Sequence, residues 1–369
     1  MIPVSSPVFN GNEKKYLEEC ITSGWISSEG PFVERFEKKI AEITGRKFGA
    51  AVSNGTGALE IAVKALDLGP GDEVIVPSFS IVSCAAAIVK AGATPVLVDC
   101  DLKTFNMNAR EVSQKITPHT KAIMVVHTYG LPCDLDEILM LAKNHKLKVI
   151  EDAAEVIGQS YKGKMCGGFG DVSIFSFYAN KIVSCGEGGM ILSNDEKIID
   201  RCRSLRNLCF IPGRRFVHEE LGWNYRMTNL QAAVGLAQAE KLSENVLKKR
   251  QMGKSYQTEL AGFTKIRSPI GKTEYAENIF WVYPVVISEE ASQTADEVIT
   301  ALKAQGVDAR PFFYPAHLQP VFQKMGLFKG ETYPNSEFLA RKGFYLPSGV
   351  GLSESDIKNV CRALKTVLK

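Results

Sequence analysis

One lysine stands between a predicted buried strand and a glycine-rich turn. Val172 to Phe177 is an apolar, aromatic-rich run of strand length, and Gly186, Gly188 and Gly189 follow Lys181 closely. An amine held at such a position is partly desolvated, which favours its neutral form and makes it a nucleophile for Schiff-base chemistry. The alternative is a solvated surface charge, which describes most of the 44 Lys and Arg residues.

A second candidate is a predicted phosphate site. The chain from Gly49 to Glu60 indicates a short strand that breaks into glycines and then begins a helix. The backbone amides of Gly55, Thr56 and Gly57 would point out of the helix N-terminus, where the helix dipole also favours an anion. A plain strand-to-helix turn, capped by the side chain of Ser53 or Thr56, would have the same pattern.

A third candidate is the acid Asp152, which ends a predicted strand at 148–152. Ligand sites in open parallel sheets lie at the carboxyl ends of the strands. The segments after four other predicted strands should therefore approach Asp152, and these include Lys181 and the residues 53–57, 77–81 and 127–130. The sequence predicts that a phosphate site, an acid, an aromatic residue and a lysine meet at one edge of a sheet.

The elements that would position these residues alternate between strand and helix, as in crossover units of a parallel sheet. The predicted strands are 73–77, 95–99, 122–127, 148–152 and 172–177, and the predicted helices are 12–23, 32–44, 83–91, 135–144 and 195–206. A basic loop, 207–221, carries Arg214, Arg215 and His218. We expect a long helix from an N-cap at Thr228 toward Leu260. Beyond residue 263, a strand at 278–287 and helices at 294–305 and 354–368 predict a smaller α/β unit.

Composition indicates a globular protein of about two domains, because 369 residues with 45% hydrophobic content can bury a large core. A net charge of +3 without a basic stripe does not suggest nucleic-acid binding. The apolar runs are too short to span a bilayer and the N-terminus lacks the segments of a signal peptide, so we expect a cytoplasmic protein. The nine cysteines include no Cys-x-x-Cys pair and the histidines are dispersed, so we expect neither disulfides nor a metal site.

Four motifs together resemble the DegT/StrS family of nucleotide-sugar aminotransferases, which depend on pyridoxal 5′-phosphate (PLP) and have fold type I. The motifs are Glu151–Glu155 (EDAAE), Ser176–Lys181 (SFYANK) with Gly186–Gly189 (GEGG), Gly222–Asn229 (GWNYRMTN) and Arg310–Pro315 (RPFFYP). The resemblance covers nearly the whole chain. It implies a large PLP-binding domain, 1–245, with a mostly parallel seven-stranded sheet flanked by helices, and a smaller C-terminal α/β domain, 246–369.

The resemblance also implies roles for residues. Lys181 would form the Schiff base with PLP and move the proton, Asp152 would pair with the pyridinium nitrogen, and Glu155 would lie near the phenolic oxygen. Asn224 would reach the phosphate from a second subunit, which implies a homodimer with shared active sites. The full set of implied cofactor-binding residues is Gly55, Thr56, Gly57, Phe79, Asp152, Glu155, Ser176, Lys181 and Asn224.

Two positions depart from the family pattern. Many relatives carry an aromatic residue, which stacks on the cofactor ring, where this chain has Ile81, and an asparagine where it has Ala86. The ring would then rest on an aliphatic surface, or Phe79 would take the place of the missing aromatic residue.

The motifs around Lys181 and Arg310–Pro315 look most like the branch that aminates C4 of a 4-keto-6-deoxy sugar, perosamine synthases among them. The implied substrates are a GDP- or UDP-linked ketosugar and L-glutamate. The alternatives are amination at C3, a PLP-dependent sugar dehydratase, whose branch has histidine in place of Lys181, and a non-catalytic regulator. Residues that could face the substrate are Trp25, Arg226, Tyr314 and His317, with Arg214 and Arg215 as further partners of the diphosphate; packing or surface roles are equally open for Trp25, Tyr314 and His317.

Overall fold

The structure is a computed structural model that describes residues 1–211 and 213–368, apart from the side chain of Arg215. The strands of this part of the chain are β1 (Phe48–Val52), β2 (Glu73–Pro77), β3 (Thr94–Val98), β4 (Thr120–Val126), β5 (Lys148–Asp152), β6 (Ser160–Tyr161), β7 (Lys164–Met165), β8 (Val172–Ser176), β9 (Gly189–Ser193), β10 (Phe210–Ile211), β11 (Arg214–His218), β12 (Ile266–Arg267), β13 (Tyr283–Ile287), β14 (Arg310–Pro311) and β15 (Gly343–Leu346).

The α-helices of the described residues are α1 (Glu13–Ser23), α2 (Pro31–Thr44), α3 (Gly55–Ala65), α4 (Val82–Lys90), α5 (Ala109–Gln114), α6 (Asp136–His145), α7 (Glu196–Leu205), α8 (Asn229–Glu240), α9 (Leu242–Glu259), α10 (Ala295–Ala304), α11 (Pro320–Lys324), α12 (Pro334–Lys342) and α13 (Glu354–Val367). A short 3₁₀ helix spans Ala316–Leu318. Within the described chain, no helix is both long and apolar enough to cross a membrane.

A seven-stranded sheet forms the larger layer, in the order β1-β9-β8-β5-β4-β2-β3. The strands are parallel except for β9, which runs antiparallel to its neighbours β1 and β8. This arrangement confirms the predicted mostly parallel seven-stranded sheet. Because successive strand residues point to opposite faces, Val74 and Val76 pack in the core on one side of the sheet and Ile75 in the core on the other. Helices cover both faces, which explains why these strands are almost continuously apolar.

A smaller antiparallel sheet, in the order β12-β13-β15-β14, belongs to the last third of the chain. Its core is shared with helices α9, α10 and α13. The N-terminus also reaches this region, because the Ile2 amide donates to Gly306 O at 2.8 Å and Ile2 O accepts from the Asp308 amide at 2.9 Å. The predicted domain boundary between residues 245 and 246 falls within α9, and the division into two domains stays a prediction.

The predicted long helix from Thr228 to about Leu260 is wrong in one respect. Its N-cap is confirmed, because Thr228 and Gln231 form a reciprocal capping box. The helix, however, is interrupted at Lys241, whose backbone leaves the helical conformation. The interruption lets α8 pack against α1 and α2 while α9 packs against α13. The apolar residues of the sequence continue on both sides of Lys241, so the sequence pattern does not indicate an interruption there. The predicted loop 207–221 likewise contains the hairpin β10–β11.

Candidate active site

A cavity of about 700 Å³ lies where the carboxyl ends of the parallel strands face the smaller sheet. Gly55 follows β1, Asp152 ends β5 and Ser176 ends β8, and all of them line the cavity with Lys181. The predicted convergence of these strand ends is therefore observed. A cavity of this volume is typical of sites for cofactors and small substrates. Other lining residues are Ile81, Ser83, Glu155, Tyr178, Asn180, Tyr225, Trp281, Phe313 and Tyr345.

Lys181 lies at the wall of this cavity, and its side chain is only 10% exposed. Its Nζ lies 3.7 Å from Glu155 Oε1 and 3.7 Å from the centroid of the Trp281 ring. Burial lowers the pKa of Lys181, and the charges of Glu155 and Asp152 oppose that shift. The amine is thus held away from bulk water, as a nucleophilic lysine requires. The alternative interpretation of Lys181 as a solvated surface charge does not agree with this burial.

Asp152 is the first buried acid of the cavity. Its side chain is 2% exposed, and its carboxylate accepts hydrogen bonds from Cys84 Sγ at 3.2 Å and from the Ala154 amide at 3.0 Å. Burial raises the pKa of Asp152, and these hydrogen bonds offset part of the shift. A cationic ring nitrogen placed in the cavity would compensate the buried carboxylate.

Glu155 is the second buried acid of the cavity. Its Oε2 accepts a hydrogen bond from the Tyr129 amide at 2.8 Å, and its Oε1 faces Lys181. Burial raises the pKa of Glu155 to about 7, although the neighbouring Lys181 favours its charged form. Both side chains line the cavity, so a ligand bound there would contact this pair.

At the predicted phosphate site, the start of α3 lies close to Ser176 at the end of β8. Asn54 caps this helix by accepting a hydrogen bond from the Gly57 amide at 2.7 Å, so neither of the caps considered from the sequence, Ser53 and Thr56, is the residue used. A Cβ atom on Gly55 would lie 2.8 Å from Ser176 Cβ, and a side chain there would fill the space. Thr56 Oγ1 lies 3.0 Å from Ser83 Oγ. The helix N-terminus and these hydroxyl groups form a surface suited to a phosphate.

Phe79 is not part of the cavity wall among the described residues. It is fully buried and packs against Tyr129, Phe312 and Phe313. Ile81 instead lines the cavity and is 44% exposed. Of the two arrangements considered for the cofactor ring, this geometry favours the aliphatic surface of Ile81, because Phe79 is held in an aromatic core.

The four predicted substrate residues lie outside this cavity in the described structure. Trp25 and Tyr314 are 50% and 54% exposed on the surface. Arg226 borders a separate cavity of about 250 Å³ together with Arg203 and Arg206. His317 is fully buried, with Nδ1 2.9 Å from Ser78 Oγ and Nε2 3.0 Å from Glu337 Oε1. Because both ring nitrogens have partners, His317 is a packing residue, and its predicted contact with the sugar is not supported.

The remaining predicted residues belong to the surface around α8 and the hairpin. Asn224 is exposed, and its Oδ1 accepts a hydrogen bond from Arg226 Nε at 3.0 Å. Arg214 lies on β11, and the side chain of Arg215 lies outside the described residues. Asn224 does not reach the cavity of its own chain in the described structure, which is compatible with a role in a second subunit.

Several cavity residues were missed from the sequence. Ser83, Tyr178, Tyr225, Trp281, Phe313 and Tyr345 line the cavity. Tyr178, Tyr225 and Phe313 belong to motifs that were identified, so these motifs could have indicated them. Trp281 and Tyr345 come from a strand-like segment and from β15 of the smaller sheet, where their aromatic character predicts only packing.

The described residues fit PLP, because one cavity is lined by the amine of Lys181, the buried carboxylate of Asp152 and the predicted phosphate site at the start of α3. Together with the seven-stranded sheet, they define a PLP-dependent transferase of fold type I. Residues 8–365 match the DegT/DnrJ/EryC1/StrS aminotransferase family, and the chain belongs to this family. The protein is therefore a PLP-dependent aminotransferase.

The chain is also similar to individual aminotransferases over its full length. The chain is 44% identical to the GDP-perosamine synthase of Caulobacter vibrioides, over 100% of this chain and 98% of that protein. It is 40% identical to the GDP-perosamine synthase of Vibrio cholerae, over 99% of this chain and 98% of the relative. The crystal structure of the aminotransferase TlmJ from Streptoalloteichus hindustanus superposes with a TM-score of 0.92 at 30% identity and covers 100% of this chain and 99% of that one.

Proposed function

We propose that this enzyme transfers the amino group of L-glutamate to C4 of a GDP-linked 4-keto-6-deoxy sugar. The observation that carries the proposal is the full-length similarity to GDP-perosamine synthases at 40–44% identity. The cavity supports it, because Lys181, Asp152 and Glu155 lie together at the wall of a space of about 700 Å³.

Bound PLP would supply an aldehyde that accepts an amino group and a ring that withdraws electrons from the substrate carbon. Asp152 would keep the ring nitrogen protonated, since a buried carboxylate gains from an adjacent positive charge. Lys181 Nζ would take the proton from the substrate carbon and return it, because its burial keeps part of the amine neutral. Gly55, Thr56 and Ser176 would hold the phosphate, and Ile81 would cover one side of the ring.

The dehydratase alternative is disfavoured by Lys181. The related branch that removes a hydroxyl group has histidine at this position, whereas this chain retains the buried amine. Amination at C3 of a dTDP- or UDP-linked ketosugar is the closer alternative, and no particular observation favours it. L-glutamate as the donor, a homodimer with shared active sites and a cytoplasmic location belong to the same proposal.

The test is incubation of the purified enzyme with PLP, L-glutamate and a panel of GDP-, UDP- and dTDP-linked 4-keto-6-deoxy sugars. We expect mass spectrometry to find an aminated GDP-sugar, and NMR to place the amino group at C4. A deoxy ketosugar with release of ammonia would show a dehydratase instead, and amination confined to a dTDP-sugar at C3 would refute the proposed substrate. Lys181→Ala is the control and should abolish amino transfer; if it retained full activity, the role of Lys181 would be wrong.

A further inference from the structure

Trp281 makes two contacts with the segment that carries the reactive lysine. The centroid of its ring lies 3.7 Å from Lys181 Nζ, and its Nε1–H donates to the backbone oxygen of Asn180 at 3.0 Å. The residue is 4% exposed, yet its ring also lines the cavity. The Trp281 side chain therefore contacts both the backbone of Asn180, just before Lys181, and the amine of Lys181 itself.

The position of Trp281 is itself fixed from behind. Lys249 is fully buried, and its Nζ donates to Trp281 O at 2.5 Å and to Ser348 O. The next strand begins two residues later, and the Tyr283 amide donates to Ser348 Oγ at 2.8 Å. The backbone of Trp281 is thus held beside the smaller sheet, so the indole ring extends toward Lys181 from a fixed main chain.

Lys181 Nζ has two neighbours, the indole ring of Trp281 and the carboxylate of Glu155. The face of an indole ring attracts an ammonium group, and the attraction increases when water is excluded. Glu155 Oε1 provides the second partner at 3.7 Å. A lysine side chain has several rotatable bonds and loses considerable entropy when it is fixed, so two partners that select one direction reduce the cost of ordering it at the moment of reaction.

We propose that Trp281 is a positioning residue for Lys181, which holds the amine beside Glu155 and directed into the cavity. It acts through Lys181 both when the amine first joins the cofactor aldehyde and when it carries a proton during turnover. This inference rests on the proposed role of Lys181, and it adds a residue from the segment that leads into the smaller sheet to the machinery of the site.

The experiment compares Trp281→Leu with Trp281→Phe. Leucine removes the aromatic face, whereas phenylalanine keeps a ring and loses the N–H group. Apoenzyme is mixed with PLP, samples are reduced with borohydride over time, and the modified Lys181 peptide is quantified by mass spectrometry. We expect Trp281→Leu to form the adduct at least about tenfold more slowly, because a small misplacement of a reacting group is costly. Trp281→Phe should recover most of the rate.

Steady-state kinetics provide a second readout. Trp281→Leu should lower kcat more than it changes the KM for the amino donor, because the variant misplaces the proton carrier, which acts in the chemical step. Phe280→Leu is the matched control. Phe280 is as buried as its neighbour and packs against Tyr283, so the control disturbs the same segment. It should leave adduct formation unchanged at a similar melting temperature.

The possible outcomes separate this inference from the proposed function. If Trp281→Leu forms the adduct at the rate of the wild type, or if Phe280→Leu slows it equally, the positioning role is refuted while Lys181 keeps its role. If the wild type forms no adduct on Lys181, the role of Lys181 in the proposed function fails first. Trp281→Met replaces the leucine variant if the latter does not fold, and the same comparison with Trp281→Phe then decides.

Discussion

At the scale of single residues, the hydrogen bond from Cys84 is the feature that distinguishes the environment of Asp152. The thiol is fully buried on α4 and lies 3.2 Å from Asp152 Oδ2. This contact stabilises the charged carboxylate and lowers its pKa, while burial raises it. Because the charge of Asp152 would hold the cofactor nitrogen protonated, the thiol would contribute to cofactor binding through Asp152.

We therefore predict that Cys84→Ala weakens PLP binding by about three- to tenfold, the equivalent of one hydrogen bond. Cys84→Ser keeps a donor at the same place and should bind PLP nearly as tightly as the wild type. Absorbance titration of apoenzyme with PLP measures both. Equal affinities for the alanine variant and the wild type would show that the contact with Asp152 is unimportant. Cys202→Ala, another buried cysteine far along the chain on α7, controls for the loss of a buried thiol.

At the scale of elements, the turn from β1 into α3 depends on the absence of a side chain at Gly55. A methyl group there would lie 2.8 Å from Ser176 Cβ, which is closer than such atoms approach in proteins. One of the two segments must move, and both belong to the predicted phosphate surface. Gly55→Ala should consequently reduce PLP affinity by at least about tenfold, because each misplaced phosphate contact is a charge-assisted hydrogen bond.

The measurement for Gly55→Ala is the same titration with PLP, accompanied by a thermal unfolding curve of the apoenzyme. Gly69→Ala serves as the control, because a Cβ atom at that position would have its nearest neighbour 3.7 Å away. Wild-type affinity in Gly55→Ala would mean that the phosphate lies elsewhere.

Helix α9 contains a buried lysine with a consequence for stability. Burial lowers the pKa of Lys249 from 10.5 to about 7. Between these values the unfolded chain binds a proton that the folded chain has lost, so this group makes the free energy of unfolding rise with pH. The contribution is complete above pH 10.5 and is lost as the pH falls through about 7.

We predict that Lys249→Met makes the free energy of unfolding of the apoenzyme less dependent on pH between about 7 and 10, by up to about 1.4 kcal/mol per pH unit. Urea unfolding at several pH values in this window tests the change in slope. Lys248→Met is the control, because Lys248 is partly exposed and pairs with Glu244 on the surface of the same helix. An unchanged slope in Lys249→Met would show that Lys249 stays charged in the folded protein.

The sequence predicted the elements that carry Lys181, Asp152 and Gly55 because each follows an apolar run of strand length, and strand ends converge in a parallel sheet. It did not predict Trp281, which precedes β13, or Tyr345, which lies on β15, because an aromatic residue in a strand-like run has the pattern of a core residue. His317 and Phe79 show the converse: a residue predicted to lie at the site can be fully buried by partners that are remote in sequence. The spacing of apolar residues predicts local secondary structure, whereas the burial of these four side chains depends on tertiary contacts.

At the scale of the whole molecule, the cavity lies between the two sheets and receives side chains from both. Lys181 and Asp152 come from the larger sheet, and Trp281 and Tyr345 from the region of the smaller one. Asn224 is exposed instead and pairs with Arg226 outside this cavity. The exposed position of this pair is compatible with the predicted role of Asn224 at the phosphate of a second subunit, and that role would make the site a property of a dimer.

Hybrid dimers test this arrangement. Lys181→Ala and Asn224→Ala subunits, each with a different affinity tag, are coexpressed and mixed dimers are purified. If Asn224 serves the partner, one site of each mixed dimer contains both substitutions and the other contains neither. The mixed dimer should then have about half the activity of the wild type, although each parent dimer is impaired at limiting PLP.

If Asn224 acts within its own subunit, each site of the mixed dimer keeps one substitution and its activity should be no higher than the average of the two parents. The expected activity of the mixed dimer requires no new contact. It follows from two-fold symmetry, because each subunit would contribute its Asn224 to the site of the other. A control with Lys181→Ala in both differently tagged subunits should remain inactive, which excludes tag effects and contamination by wild-type enzyme. Activity at half the wild-type level would place Lys181 and Asn224 of one site on different chains.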